Sequence, residues 1–175
     1  MPQAAGHNCL MQETPSAPTA FPLSIVMERT VLANNRWETE QWEAKRVIYS
    51  TSGGCTDEHM LVNDGVHQQI LFPGHSVRLF RDEAEGYFLN ITSAQPKVFV
   101  LWRMQNDIAR PERATVSYHE GARWMDSDEK VDAVPLPPEL LPAMSEFVAR
   151  HYRPEVKKPK RYATNKDRGR MGRIE

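Results

Sequence analysis

The stretch that decides the fold is Gln69–Met104, QILFPGHSVRLFRDEAEGYFLNITSAQPKVFVLWRM. Apolar runs of strand length alternate in it with turn chemistry. Gln69–Phe72 is closed by Pro73-Gly74, where proline presets its own φ and glycine accepts a positive one. Val77 and Leu79 are separated by polar Arg78, the period of a half-buried strand. Glu85-Gly86 reads as the next turn, and Tyr87–Thr92 as a strand ended by Gln95-Pro96. Val98–Met104 is a hydrophobic strand carrying Phe99, Leu101 and Trp102. Short, closely spaced strands joined mostly by hairpins favour an antiparallel sheet that curls into a barrel or forms a small sandwich.

Toward the N-terminus the same period of two recurs at Leu23, Ile25 and Met27. Asn34-Asn35 then breaks the chain. Trp37 and Trp42 lead into a second strand at Ala44–Tyr49, and Ser50–Gly65, with Gly53-Gly54 and Asp57-Glu58, reads as a long exposed loop. Toward the C-terminus, Thr115–Tyr118 reads as a short strand after a loop at Pro111. Gly121–Lys130 suits an amphipathic helix with Ala122, Trp124 and Met125 inward. Val131–Leu136 reads as extended, because a residue before proline is pushed out of the helical region. Leu140, Leu141, Met144, Phe147, Val148 and His151 then form one apolar stripe at helical spacing. Pro142 fits a first turn, where its missing N–H costs nothing, so this helix runs from about Leu141 to Tyr152.

The expected fold is therefore β-rich α+β: five or six antiparallel strands, barrel-like or a small sandwich, with one or two C-terminal helices. Residues 21–152 form the single domain. Residues 1–20, rich in Ala, Pro, Thr and Gln, and the basic segment 153–175 read as disordered tails. From Arg150 onward there are ten Lys or Arg against three acids, while the rest of the chain has twelve against twenty. A basic tail on an acidic body points to an anionic partner or to the body itself. Two cysteines make no disulfide framework. Residues 1–20 hold no signal-peptide pattern, and no run has the apolar length of a membrane helix, so a cytoplasmic chain with no membrane partner is expected.

Catalytic and metal motifs are sparse. Cys55, His59, His67 and His75 are soft and borderline ligands, but structural zinc sites show a tight pair at each end, and the second pair here spans a turn. They read better as surface residues, with no metal or cofactor expected. Ser117 precedes Tyr118-His119-Glu120 without a nucleophile-elbow signature. Asp126, Asp128, Glu129 and Asp132 lack the glycine and terminal glutamate of a calcium loop and read as a solvated helix end. The four tryptophans suit core packing better than a base-stacking platform. In the tail, Lys157, Lys158, Lys160 and Arg161 open a run that suits either an acidic protein surface or phosphate backbones.

Several of these segments together resemble a known family. They are Phe21-Pro-Leu-Ser-Ile-Val-Met-Glu-Arg, Arg36-Trp37, Trp42, Glu85-Gly-Tyr-Phe-Leu-Asn-Ile, Pro96-Lys-Val-Phe-Val-Leu-Trp-Arg-Met and Val134-Pro-Leu-Pro-Pro-Glu. The likeness, from about Phe21 to Tyr152, is to the proteobacterial domain of unknown function 3305. It implies context more than mechanism, since members are often encoded near formate dehydrogenase genes and maturation factors for molybdenum enzymes. The expectation is a non-catalytic accessory protein that binds a formate dehydrogenase subunit or maturation factor, with Arg36, Trp37, the Cys55 loop and Lys157, Lys158, Lys160 and Arg161 as contacts. The alternative is a small nucleic-acid-binding protein using the tail and a barrel face. A zinc-dependent or small-molecule enzyme is the third reading. The resemblance carries no catalytic residue over to this chain.

Overall fold

The computed structural model describes residues 20–33, 39–50 and 57–154. The first sheet holds β1 (Ala20–Val31), β2 (Glu40–Tyr49), β3 (His59–Asn63) and β4 (His67–Arg78), in the order β2-β1-β4-β3. The second holds β5 (Lys97–Gln105), β6 (Ile108–Thr115) and β7 (Val131–Pro135), in the order β6-β5-β7. All pairings are antiparallel. Three helices complete the described residues: α1 (Ala84–Ile91), α2 (Tyr118–Asp126) and α3 (Leu141–His151). The sheets do not close into a barrel. The architecture is an α+β sandwich with seven strands among the described residues.

Alternation explains how the sheets meet. Phe21, Leu23, Ile25 and Met27 of β1, with Trp42, Ala44 and Val47 of β2 and Ile70, Phe72 and Val77 of β4, join Val98, Val100 and Trp102 of β5 in one core. Fully burying a side chain of this size contributes roughly 1.5–3 kcal/mol. The other face of β5 turns Phe99 and Leu101 toward Trp124 of α2. The helix lies so close there that a Cβ on Gly121 would sit 2.5 Å from the Phe99 ring. Glu28, on the central strand, is buried but paired, its carboxylate meeting Lys45 at 2.6 Å and Gln69 at 2.8 Å.

Six local expectations are corrected. Pro73-Gly74 does not turn the chain: β4 runs straight through it, Gly74 at φ +81°, and the register against β1 shifts between Leu23 and Ile25. Pro111 likewise sits inside β6, an edge strand whose register against β5 shifts between Leu101 and Trp102. Proline is tolerated at such irregularities because no ladder hydrogen bond is required of it there. The Tyr87–Thr92 strand is instead helix α1. Its Tyr87 and Asn90 lie three apart and are both buried, so packing overrides the β preference of the aromatic run. The loop from Ser50 to Gly65 contains β3, whose five residues are all exposed and so show no burial alternation. The Thr115–Tyr118 strand is also replaced, since β6 ends at Thr115 and Tyr118 opens α2. In α2, Trp124 is buried whereas Met125 is 45% exposed. Helix α3 falls as read, burying Met144 and Val148.

One end of the sandwich is sealed by α1 and α3. Tyr87 packs edge-on against Phe147, and Phe88 stacks on Tyr152. Asn90, 1% exposed, donates from Nδ2 to the carbonyls of Lys97 and Val116, both at 2.7 Å, and its Oδ1 accepts from Lys97 N–H at 2.8 Å. Ser117 caps α2 by accepting from Glu120 N–H, and its hydroxyl donates to the Glu83 carboxylate at 2.5 Å. Arg123 donates to the other Glu83 oxygen at 2.6 Å. Burial pushes the Glu83 pKa up, but the Ser117 and Arg123 hydrogen bonds outweigh it and hold the carboxyl below its ordinary 4.5. The Tyr87 phenol, buried and accepting from Phe80 N–H, is pushed up to about 12, chiefly by burial.

Candidate functional site

The opposite end carries no helix among the described residues. The start of β2, the end of β5 and the start of β7 meet there around a cleft of about 360 Å³. Its walls are Thr39, Glu40, Gln41 and Trp42 from β2 and the residue before it, Trp102 and Met104 from β5, and Lys130 just before β7. A shift in register leaves Lys45 without a β1 partner. Next to it, Ala44 N–H donates to Asp132 Oδ2 at 2.7 Å, and the same oxygen accepts Trp102 Nε1–H at 2.7 Å. Asp132 thus joins the two sheets and fixes the Trp102 ring, with the Lys130 ammonium 5.0 Å from its centroid.

Trp42 faces a different situation. It is 8% exposed, and its Nε1–H has no acceptor among the described residues. A buried donor left unpaired costs about 1–3 kcal/mol, so native structures contain few of them. The charges around the cleft are otherwise matched: Glu40 pairs with Arg29 at 2.5 Å and Glu129 with Arg103 at 2.8 Å. Lys130 has no carboxylate partner among the described residues.

Two further surfaces stand out. β3 is an edge strand, bonded to β4 on one side only, and Met60, Leu61 and Val62 on it are 51%, 42% and 39% exposed. Near the sealed end, a groove of about 710 Å³ is lined by Arg81, His151, Tyr152 and Arg153, with Asp82 and Glu85 opposite in charge. Partial burial and the neighbouring Arg81, Arg150 and Arg153 guanidiniums hold the His151 imidazole below its ordinary 6.5.

The expected site residues fare unevenly. Arg36 and Trp37 belong to the segment joining β1 to β2, and Cys55, Lys157, Lys158, Lys160 and Arg161 to other stretches, all outside the described residues. So do the tails 1–19 and 155–175. His59 stands opposite Leu71, and His67 and His75 lie eight residues apart on β4, about 25 Å at strand spacing. Among the described residues no three His, Cys, Asp or Glu side chains gather as a metal site. Ser117 is fully buried and engaged as a cap, which removes it as a nucleophile. Asp132, read as part of a solvated helix end, instead accepts the two N–H groups named above. Sequence reasoning missed the cleft because Trp42, Trp102 and Lys130 meet only through the packing of two sheets. Its only local signal is Trp102-Arg103, an aromatic residue beside a basic one on β5.

Fold and surfaces together describe a small sandwich that presents an aromatic cleft and an apolar strand edge. Residues 22–161 match the family described as Protein of unknown function (DUF3305), and the chain belongs to that family. The match extends past Tyr152 and takes in Lys157, Lys158, Lys160 and Arg161. No curated protein and no solved structure matched the chain. Among the described residues no helix is long and apolar enough to cross a membrane.

Proposed function

We propose that this chain is a cytoplasmic, non-catalytic accessory protein for formate dehydrogenase assembly or maturation that acts by protein–protein contact. The observation that carries the reading is β3: an apolar edge strand whose outer backbone groups have no strand partner among the described residues. Such an edge is a template for an added strand, and proteins that keep one exposed commonly use it for recognition. Acidic Asp57, Glu58 and Asp64 bracket it, with Glu58 already paired to Arg110. The matching partner is an extended apolar segment of a formate dehydrogenase subunit or maturation factor with a basic flank. The family resemblance supplies the choice of enzyme.

The test is a tagged pull-down of the full chain from nuclease-treated native lysate, alongside Leu61→Lys. Recovery of the enzyme's subunits or of a maturation factor by the wild type, and its loss with Leu61→Lys, supports the reading. Deleting the gene should lower formate dehydrogenase activity and cofactor content. Unchanged enzyme amount, cofactor content and activity would end the proposal.

A second reading, nucleic-acid binding, is favoured by the groove at Arg81, His151 and Arg153, whose lining residue Pro154 directly precedes the basic segment in sequence. It requires an affinity for RNA or DNA that falls steeply with salt, with a slope that flattens when residues 155–175 are removed. Salt-insensitive or absent binding disposes of it.

A further inference from the structure

We infer that the cleft between Trp42 and Trp102 is a binding site for a small flat anion, an aromatic carboxylate being the simplest member of the class. Its volume, about 360 Å³, lies in the lower part of the roughly 300–1,000 Å³ range of small-ligand sites. Two indoles and the half-exposed thioether of Met104 supply apolar walls suited to a ring.

The polar groups at the cleft decide the sign of the charge. Glu40 is neutralised by Arg29, and Asp132 is held by two N–H donors, both at 2.7 Å. What remains without a countercharge among the described residues is the Lys130 ammonium, which stands at the cleft over the Trp102 ring. A cation would meet Lys130 and find no free carboxylate, and a neutral hydrocarbon would leave the ammonium without a countercharge. A carboxylate on a flat ring meets both features, with the ring against the indoles and the oxygens toward the Lys130 ammonium. Charge-assisted hydrogen bonds of this kind are about twice as strong as neutral ones.

The probes are 2-naphthoate and its neutral isostere 2-naphthamide, titrated to about 10 mM into the ¹⁵N-labelled full chain. The readout is the indole N–H resonances, assigned by single Trp→Phe variants. Naphthoate should move the Trp42 and Trp102 resonances saturably and leave Trp124, in the separate cluster against Phe99, unmoved. Naphthamide should bind about tenfold more weakly, and Lys130→Gln should reduce naphthoate to that level. Lys130→Arg, which keeps the charge, should restore most of the affinity. Equal affinity for the two probes, no saturable shift at Trp42 or Trp102, or naphthoate binding unchanged in Lys130→Gln would overturn the inference. Its failure would leave the accessory reading standing, because that reading is tested at Leu61 on a different strand.

Discussion

The two ends of the sandwich treat buried polar groups in opposite ways. At the sealed end every polar side chain described above has found its partners: Asn90 makes three hydrogen bonds, Ser117 links α2 to Glu83, and Arg123 completes the carboxylate. At the open end Trp102 is anchored to Asp132, yet Trp42 in the same core keeps an N–H unpaired among the described residues. A small domain has only a few kcal/mol to spare, so a persistent unpaired donor stands out against a molecule that satisfies its polar groups elsewhere. The difference assigns stability to the sealed end, and the open end, less completely satisfied, carries the cleft proposed above as a binding site.

The largest effect that could break this division belongs to Asn90. Asn90→Ala leaves the Lys97 N–H and the Lys97 and Val116 carbonyls without their partner and should cost about 3 kcal/mol or more in urea unfolding. A loss under about 1 kcal/mol would mean the sealed end is not the stabilising one. Next comes Gly86→Ala, since the new Cβ would lie 2.3 Å from Ser117 Oγ. The resulting shift of α1 or of the α2 cap should cost about 1–3 kcal/mol, read as a lowered thermal midpoint. Met104 and Lys130 at the open end provide the contrast: Met104→Gln and Lys130→Gln, both on exposed side chains, should each change stability by no more than about 0.5 kcal/mol.

The smallest effects are in pH. Glu83 has its pKa lowered on folding, so its contribution is present above the unfolded value of 4.5 and is lost as pH falls through the lower folded value. His75 is also lowered, by burial, so the unfolded chain takes up a proton first as pH drops below 6.5, and stability declines from there. Glu83→Gln should remove part of the acid-side slope and His75→Gln part of the slope beginning near 6.5, both followed by unfolding midpoint against pH. Neither change should alter naphthoate binding, because both residues lie outside the open cleft.

What was legible in the sequence follows the same divide. β1 and α3 could be read because their apolar residues recur at the period of the element they form, as Leu23, Ile25 and Met27 do, while β2 and β5 could be read as apolar runs of strand length, Val47–Tyr49 and Val98–Trp102. Pro73-Gly74 was misread because turn chemistry and bulge chemistry use the same residues, and only the pairing of β4 with β1 tells them apart. Tyr87–Thr92 was misread because its aromatic composition favours a strand, while the contacts that make it a helix come from α3. β3 left no pattern, since an edge strand exposed on every residue has no face to alternate. The cleft was the least legible part, being assembled from β2, β5 and the residue before β7, with Trp102 and Lys130 alone 28 positions apart.

The most direct test of the central claim removes one indole N–H at a time without changing the ring's shape. β-(3-benzothienyl)alanine, in which sulfur replaces the N–H, is placed at position 42 or at position 102, and the unfolding free energy is measured for each. At position 102 the substitution strips Asp132 of a donor and should cost about 1–3 kcal/mol. At position 42 it should cost nothing, or stabilise the fold by up to about 1 kcal/mol, since no hydrogen bond is lost. Equal losses at the two positions would show that the Trp42 donor is already satisfied, and the account of the open end would fall.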